Sequence, residues 1–476
     1  MLLLAALVIL AAIWGIPRLR NLVAVGCSYK AKALASALFV SGLDTDPERA
    51  PEIADEAYWL MRMFRARVDH EKKTVTVSFF GLQPKTAAYR PGLGATLTPA
   101  PLPPAPSWKA PADAAPLPRA ELTAIAPILD ASLTEPYPRR LRRTRAVVVL
   151  QDGVIIGERY APGITAETPL NGWSMTKSVT GALIGTLVAE GKLRLEDKRL
   201  LTEWGTPGDP RGKISLEDLL RMSSGLRFSE VYADTSSDVT RMIFNCYDAA
   251  GFAASRPLEA PPGTIWKYTS GTSNILSLIA RRAVGEKDYP TWPRRALFSP
   301  LGMTSAVFEP DASGTFVGSS FLFATARDWA RFGLLYAEGG RRLLPDGWVR
   351  FATTPTPLAP GGKYGAHWWL KLSKELGGET PNAARIPADA FHALGNEGQC
   401  LTVIPSRRLV VVRLGLSIDI TAWDHAAFLA ELLGALPLHF GPIHAATGLA
   451  VGLFLCGGGR WRRLGRWPVL AALAAA

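Results

Sequence analysis

The stretch that decides the fold is NGWSMTKSVTGALIGTLVAE, residues 171–190. Most of its residues are apolar or small, and a helix that is apolar nearly all round runs through a core rather than along a surface. Lys177 is its only charge before Glu190. Ser174 and Lys177 are spaced i and i+3, so on a helix both side chains point to the same side. The stretch therefore predicts a buried helix that holds a lysine beside a serine.

Ser174 and Lys177 form the single SxxK motif of the chain. Burial lowers the pKa of an amine because the charged form loses its hydration, so Lys177 becomes available as a proton acceptor. At a helix start, Ser174 lies where backbone N–H groups favour a developing negative charge. A neutral amine one turn away can activate a serine hydroxyl as a nucleophile. The alternative interpretation is that Ser174 only caps the helix.

A further polar pair lies about 90 residues later in IWKYTSGTSNILSLIARRA, residues 265–283. Tyr268 and Ser270 form a YxS motif, preceded by a PPGT turn and followed by another apolar helical stretch. A serine and lysine pair gains from another group that can move a proton to the leaving atom. Tyr268 is the candidate for that group.

Together these motifs resemble the serine β-lactamase and penicillin-binding-protein superfamily, on the branch of class C β-lactamase-like hydrolases, esterases and 6-aminohexanoate-dimer hydrolases. The resemblance covers about residues 130–435. It implies that Ser174 is the acylated nucleophile, Lys177 its proton partner and Tyr268 a general base or acid. The motifs that carry it are WSMTKS (173–178), LEDLLRMSSGL (216–226), PPGTIWKYTSG (261–271), SPLGM (299–303), TARDWARFGLL (325–335) and LGNEGQCLTVIPSRRLVVVRLG (394–415).

The resemblance also implies an oxyanion hole made by the backbone N–H groups of Ser174 and Gln399. It implies substrate contacts from Ser270, Asn396 and Gly398. Asn396 stands where the family usually has the Lys or His of a KTG or HxG triplet, and a neutral amide cannot hold a substrate carboxylate as a cation does. We therefore expect an amidase or esterase rather than a β-lactamase or carboxypeptidase.

Two histidines remain open alternatives for the site. His392 lies four residues before Asn396 and either supplies the missing cation or is structural. His367 lies beside two tryptophans and either lines the pocket or belongs to the core.

The predicted fold class is α+β: a β-lactamase-like antiparallel sheet flanked by helices, with an inserted helical subdomain. The sheet is expected to begin with a hairpin in AVVVLQDGVIIGERYAPG (146–163), because Asp-Gly between β-rich runs is a strong hairpin signal. Later strands are expected at HWWLKL (367–372), QCLTVIP (399–405) and RLVVVRLGL (408–416), and helices at SLEDLLRMSSG (215–225), TARDWARFGLLYAEGG (325–340) and about 420–434.

Five segments are expected along the chain. An N-terminal hydrophobic anchor or signal (1–26) precedes a small α/β pre-domain (27–98), in which PEIADEAYWLMRMFRARV (51–68) predicts a helix and KTVTVSFFGL (73–82) a strand. A proline-rich linker, the hydrolase domain and a hydrophobic, basic tail follow, at residues 99–120, 121–436 and 437–476.

The composition limits the partners that we expect. The net charge is +12, but the basic residues are dispersed and no nucleic-acid motif accompanies them, so they form either a solvated surface or one attracted to anionic lipid. Four cysteines without a CxxC motif leave metal binding unsupported and disulfides undecided. No cofactor is implied, and the expected substrate is a small-molecule amide or ester.

The two ends of the chain suggest a membrane. Residues 1–16 are uncharged and apolar, which predicts an anchor or a cleaved signal. The tail is either a second membrane segment or poorly packed. The expected location is the bacterial cell envelope. Two other functions stay open: hydrolysis of peptidoglycan peptides or β-lactams, and ligand sensing by a catalytically weak penicillin-binding-protein-like domain.

Overall fold

The computed structural model describes residues 15–44, 46, 50, 59–107 and 114–437, so residues 1–14 and the tail beyond 437 lie outside the described part. Its helices are α1 Ile16–Phe39, α2 Ala126–Ser132, α3 Thr176–Ala189, α4 Leu216–Leu220, α5 Asp238–Phe244, α6 Ala249–Ala254, α7 Ser270–Val284, α8 Ser299–Leu301, α9 Ala326–Ala337, α10 Trp348–Thr353 and α11 His425–Ala435. Its strands are β1 Phe64–Asp69, β2 Thr74–Phe79, β3 Leu82–Arg90, β4 Gly94–Thr98, β5 Thr144–Gln151, β6 Val154–Tyr160, β7 Leu170–Asn171, β8 Val307–Phe308, β9 Leu322–Ala324, β10 Phe391–Gly395, β11 Gln399–Ile404 and β12 Leu409–Gly415.

The central sheet has five antiparallel strands in the order β10-β11-β12-β5-β6. The hairpin between β5 and β6 turns at Asp152 and Gly153, whose φ angles are 53° and 77°. These left-handed angles are those that a two-residue turn with Asp-Gly adopts. The predicted hairpin is confirmed, and strands from both ends of the domain meet in one sheet.

Helices cover this sheet as the α+β class requires. In α3, every side chain from Thr176 to Leu187 is buried, so the helix is the core element that its apolar sequence predicts. Helix α9 begins at Ala326, and the hydroxyl of the preceding Thr325 caps it by accepting from the Asp328 backbone N–H. It lies so close to the sheet that a Cβ on Gly333 would come 2.5 Å from a methyl of Val410. The predicted fold class is confirmed.

The N-terminal part consists of α1 and a four-stranded antiparallel sheet in the order β1-β2-β3-β4. Tyr29 of α1 packs edge-on against Phe244 at 5.4 Å between ring centroids. Lys32 of α1 forms a buried ion pair with Glu309, which also accepts hydrogen bonds from Ser36 and the backbone of Ala95. These contacts fasten α1 to the rest of the chain, and the division into a pre-domain and a hydrolase domain stays a prediction.

Helix α1 is also, within the described residues, the one helix long and apolar enough to cross a membrane. In its most apolar window, 72% of the residues are buried inside the protein, as in a packed helix of a protein body. The predicted anchor or signal in residues 1–26 therefore stays a prediction.

Two predicted elements are wrong. The helix expected over 51–68 is wrong in its last part, because Phe64–Asp69 forms strand β1 and pairs with β2. Residues 51–58 of this prediction lie outside the described part. FRARVD alternates apolar and polar residues, which suits a strand. The strand expected at 367–372 is absent from the structure, and isolated bridges take its place. His367 has a φ of 60°, which an extended strand cannot include.

Candidate active site

The site is built around the turn that carries Ser174. Strand β7 ends at Asn171, and a 3₁₀ turn of residues Trp173–Met175 then leads into α3. Trp173 has a left-handed φ of 46°, and its backbone N–H donates to the Asn171 side chain at 3.0 Å. A Cβ on Gly172 would come 2.2 Å from the Trp329 ring, so only glycine fits there. Such a strained turn persists because its surroundings hold it, and strain of this kind clusters at functional sites.

Lys177 lies one turn further along and is 2% exposed. Its Nζ donates to Ser174 Oγ at 2.9 Å and to the Ser319 carbonyl at 3.0 Å. Burial lowers the pKa of Lys177 from 10.5 to about 8, and the nearby carboxylate of Glu230 opposes that fall. A fraction of the amines is therefore neutral near physiological pH, and a neutral amine at this distance can accept the proton of Ser174.

Tyr268 reaches the same hydroxyl from the segment before α7. Its phenol lies close enough to the Ser174 hydroxyl to interact with it, and burial raises the pKa of Tyr268 above its usual value of 10. The Tyr268 ring packs against Tyr364 and Trp369, with centroids 5.9 and 5.2 Å apart, and Lys177 Nζ lies 4.9 Å from its centroid. The structure thus brings together the three side chains that the sequence proposed as catalytic.

A carboxylate that sequence reasoning missed lies beside them. Glu230 accepts hydrogen bonds from the Ser270 backbone at 2.9 Å, the Ser270 hydroxyl at 2.5 Å and the Tyr232 hydroxyl at 3.2 Å. Burial raises the pKa of Glu230, whereas the charge of Lys177 lowers it. Glu230 lies in the loop between α4 and α5, where no helical spacing relates it to the SxxK motif, so the sequence carries no signal of its position.

Ser270, predicted to bind substrate, is fully buried and its hydroxyl is engaged by Glu230. Asn396 is exposed at the hairpin between β10 and β11. Gly398 has a φ of 77°, and a Cβ there would come 2.5 Å from the Arg413 guanidinium. Only Asn396 of these three lies open to a ligand in this conformation, and the substrate-binding roles stay predictions.

Gln399 was predicted to donate its backbone N–H to the oxyanion, but this N–H already has an acceptor within the protein. Its backbone N–H donates to the Asn396 carbonyl, which closes the hairpin turn. Its side-chain amide donates to the Gly415 carbonyl at 2.7 Å and accepts from the Gly415 N–H at 2.9 Å. The backbone bond of Gln399 would have to open before this residue could bind an oxyanion.

The hairpin nevertheless lies directly against the Ser174 turn. A Cβ on Gly395 would come 2.3 Å from the Gly172 carbonyl, and the Trp173 indole N–H donates to Glu397 at 2.8 Å. The buried guanidinium of Arg413 donates to the carbonyls of Glu397 and Gly398, which fixes the hairpin from below. The hairpin between β10 and β11 is thus held in direct contact with the turn that carries Ser174.

The two histidines belong to the core. His367 is hydrogen-bonded to Ser273 at 2.9 Å and to the Leu220 carbonyl at 2.7 Å, and burial lowers its pKa to about 4. His392 contacts the Thr402 hydroxyl at 2.9 Å, and burial lowers its pKa to about 3. Both rings are neutral at physiological pH. His392 therefore does not supply the positive charge that a Lys or His at position 396 would provide.

Within the described ranges, no group of three or more His, Cys, Asp or Glu side chains is arranged to hold a metal ion. Cys27, Cys246 and Cys400 are free thiols, and the fourth cysteine lies outside those ranges.

Comparison with known proteins agrees with the fold. The family model described as Beta-lactamase matches residues 131–415. The chain is 27% identical to the 6-aminohexanoate-dimer hydrolase of Paenarthrobacter ureafaciens over 299 residues, which cover 57% of this chain and 72% of the relative.

Solved structures of the same fold include a Bacillus anthracis protein proposed to be a 6-aminohexanoate-dimer hydrolase. It shares 22% identity with a TM-score of 0.54, covering 68% of this chain and 89% of the other. A Bacteroides dorei protein proposed to be a β-lactamase shares 20% identity with a TM-score of 0.50, covering 65% of this chain and 97% of the other. The chain therefore belongs to the β-lactamase family of hydrolases, as its motifs indicated.

Proposed function

We propose that the protein is a serine hydrolase that cleaves an amide or ester bond of a small molecule through an acyl-enzyme on Ser174. The observation that carries the proposal is the 2.9 Å contact between Ser174 Oγ and the buried amine of Lys177. The similarity to 6-aminohexanoate-dimer hydrolase supports amide or ester substrates.

Acylation begins with the neutral form of Lys177. Its amine takes the Ser174 proton while Oγ attacks the substrate carbonyl carbon and the carbonyl π electrons move to oxygen. The tetrahedral intermediate collapses when the bond to the leaving nitrogen or oxygen breaks, and the Tyr268 phenol donates its proton to that atom. Lys177 then returns a proton to Tyr268. In deacylation, water attacks the carbonyl carbon of the Ser174 acyl-enzyme ester by the same proton transfers, and the carboxylic acid leaves as Ser174 Oγ is reprotonated.

The oxyanion needs two aligned N–H donors. Ser174 is the second residue of its 3₁₀ turn, and the first N–H groups of such a turn have no acceptor within it. Asn396 is the first residue of the 3₁₀ turn in the neighbouring hairpin, so its N–H is likewise without an acceptor in that turn. We propose the N–H groups of Ser174 and Asn396 as the donors, because Gln399 would first have to break its bond to the Asn396 carbonyl.

The charges around the site disfavour substrates with a carboxylate beside the scissile bond. Asn396 is neutral, and Glu230 places a carboxylate next to Lys177 and Tyr268. β-Lactams and peptide termini carry such a carboxylate, whereas simple esters and linear amides need not. Hydrolysis of β-lactams or peptidoglycan peptides is therefore the weaker candidate.

A substrate panel tests this choice. We expect kcat/KM for nitrocefin to be about 10- to 100-fold lower than kcat/KM for p-nitrophenyl acetate. This factor corresponds to the free energy of the one charged hydrogen bond that the nitrocefin carboxylate would lack at position 396. Linear amides should be turned over without any cationic residue at position 396. Fast nitrocefin turnover would contradict the argument from Asn396. No turnover of any substrate would favour a ligand sensor.

The pH dependence follows from Lys177. The amine must be neutral to act as a base, so kcat/KM for a neutral ester should rise with pH through about 8, the pKa of Lys177. In Glu230→Gln the negative charge that raises this pKa is lost, so the rise should move to lower pH. The measurement is kcat/KM from neutral to alkaline pH. Glu217→Gln is the control: this half-buried carboxylate pairs with Arg221, and its loss should leave the profile unchanged. An unmoved rise in Glu230→Gln would contradict the role of Lys177.

We also propose that the protein works in the bacterial cell envelope. The support is the apolar sequence of residues 1–16 and the apolar helix α1 that follows.

A further inference from the structure

The first two turns of α1 project from the protein body. Most of their residues up to Leu22 are exposed, whereas residues 23–28 are buried, so the helix enters the body at its third turn. Ile16, Leu19 and Leu22 are exposed and recur every third residue, which places them on one side of the helix. The uncharged residues 1–14 precede this end of α1. An exposed apolar surface therefore adjoins an apolar sequence.

The turn between β2 and β3 lies toward the same end of α1. Strand β1 begins beside the early part of the helix, since a Cβ on Gly26 would come 2.6 Å from the Phe64 ring. Beyond the other end of β1, the His70 ring packs on Phe39 at the end of the helix, with centroids 6.0 Å apart. Strand β2 is antiparallel to β1, so it runs back toward the beginning of α1. The hairpin turn at residues 80–81 therefore lies on the side from which α1 projects.

This hairpin turn carries apolar side chains that are not packed in a core. Phe80 is 70% exposed and Leu82 is 64% exposed, and Leu60, just before β1, is exposed as well. Phe80 and Gly81 have φ angles of 48° and 79°, those of a two-residue turn that favours Asn-Gly. A bulky aromatic residue is unusual at such an angle. The turn geometry therefore does not explain the phenylalanine, and neither does burial.

A loop of the catalytic site adjoins the exposed end of α1. The Asn21 side chain donates to the Thr235 carbonyl at 2.5 Å. The turn that leads to Thr235 carries Val231 and Tyr232, which are both exposed. The Tyr232 hydroxyl contacts the Ser270 hydroxyl at 3.3 Å beside the buried carboxylate of the site. The loop thus joins the site to the surface around α1.

These three segments hold most of the exposed apolar bulk of the protein. Ten large apolar side chains of the described residues are exposed, and eight of them lie in these segments; Tyr137 and Leu358 are the others. Scattered exposed apolar residues are normal, but a concentration of them marks an interaction surface.

The charges around this surface are mainly positive. Arg18, Arg20 and Arg62 are exposed at the same end. Residues 15–30 and 59–68 contain no Asp or Glu, and the neighbouring loop contributes the exposed carboxylate of Asp234. Basic side chains around an apolar surface are attracted to anionic lipid head groups.

We propose that the first two turns of α1, the hairpin turn between β2 and β3, and the loop of Val231 and Tyr232 form one docking face for a lipid bilayer. Their apolar side chains enter the interfacial region, and the arginines stay among the head groups. A bilayer fits better than a second copy of the chain, because the uncharged residues 1–14 join this face and arginines surround it. Docking does not depend on hydrolysis at Ser174.

Lipid photo-crosslinking of the full chain tests the docking face. The protein is bound to vesicles of phosphatidylethanolamine and phosphatidylglycerol that contain a phosphatidylcholine with a diazirine in its acyl chain, and labelled tryptic peptides are mapped by mass spectrometry. We expect labels on the peptides of residues 74–85 and 228–241, which contain the hairpin turn and the loop. The peptide of residues 120–139 contains the exposed Tyr137 and should stay unlabelled. Ser174→Ala should give the same labels.

The double variant Phe80→Asn, Leu82→Thr separates docking from folding. Asparagine suits the left-handed backbone at position 80 and threonine suits a strand, so Tm should not fall. Each replaced side chain contributes about a tenfold factor when its apolar surface leaves water. Labelling of the loop peptide, whose own sequence is unchanged, should therefore fall about tenfold or more. Tyr137→Asn is the matched control, since it removes an exposed aromatic ring outside the docking face and should leave labelling unchanged.

Three results would overturn the proposal. Labels confined to residues 1–30 would show a protein tethered by its N-terminal sequence without docking, and the envelope location would still stand. Equal labelling of residues 120–139 and 74–85 would show that lipid contacts the surface without preference. Crosslinks between two copies at the hairpin and loop peptides, without lipid labels there, would assign the face to a second copy of the chain.

Discussion

Replacing Ser174 with alanine is expected to lower kcat/KM for p-nitrophenyl acetate by at least ~10⁴-fold, as the loss of a nucleophile does in other serine hydrolases. The reason is that the hydroxyl of Ser174 is the one to which the Lys177 amine is hydrogen-bonded at 2.9 Å and beside which the Tyr268 phenol lies. Labelling by a fluorophosphonate, read by the mass of the peptide that contains residue 174, should disappear together with turnover. The wild type should show the acyl adduct on the same peptide after rapid quenching.

Ser178→Ala is the matched control for this experiment. Ser178 lies on the same helix, is buried, and donates to the His367 carbonyl at 2.6 Å rather than to any group at the site. Its loss costs about 1 kcal/mol of stability, the usual value of one hydrogen bond, and should leave labelling intact. Labelling that persists in Ser174→Ala, or turnover without an adduct on that peptide, would contradict the nucleophile assignment.

The pairing of Ser174 with Lys177 could be predicted because helix geometry alone relates the two positions. A helix that is apolar nearly all round is buried, so its single charged residue, Lys177, is buried with it. The i, i+3 spacing then places Ser174 beside Lys177. The hairpin at Asp152 and Gly153 was predictable for a similar reason, since its backbone angles follow from local residue preferences. Local sequence pattern thus predicted the buried helix with its Ser-Lys pair and the first hairpin, whereas the β-lactamase-like fold followed from the resemblance of the motifs to that family.

Groups that come from loops could not be found in this way. Glu230 reaches Lys177 only through the path of the loop between α4 and α5, and no sequence period encodes that path. The packing of α1 near Phe321 is a tertiary contact between distant segments, and the sequence alone did not indicate it. At His367 a left-handed backbone breaks a stretch that otherwise has strand composition. Each of these features depends on long-range packing rather than on local pattern.

Replacing Lys177 with methionine is the second change with a large expected effect. Methionine keeps the length and the burial of the side chain but cannot accept a proton, so kcat should fall by about 10²- to 10⁴-fold, the usual contribution of a general base. The measurement is single-turnover acylation by p-nitrophenyl acetate, with KM determined separately. Binding of substrate should change little, since the amine acts on Ser174 rather than on the ligand.

Stability separates this chemical role from a folding defect. The folded-state pKa of Lys177 is about 8 and its ordinary value is 10.5, so between these values the unfolded chain binds more protons and stability rises with pH. Lys177→Met should abolish the part of that rise that Lys177 contributes, measured as Tm against pH. In this variant the lost hydrogen bond to the Ser319 carbonyl costs about 1–3 kcal/mol of folding stability. At neutral pH the variant no longer has to bury a charged amine, which offsets this cost. We therefore expect the variant to stay folded. Full activity in a folded Lys177→Met protein would show that another group deprotonates Ser174, and an unchanged pH dependence of Tm would show that the amine is hydrated.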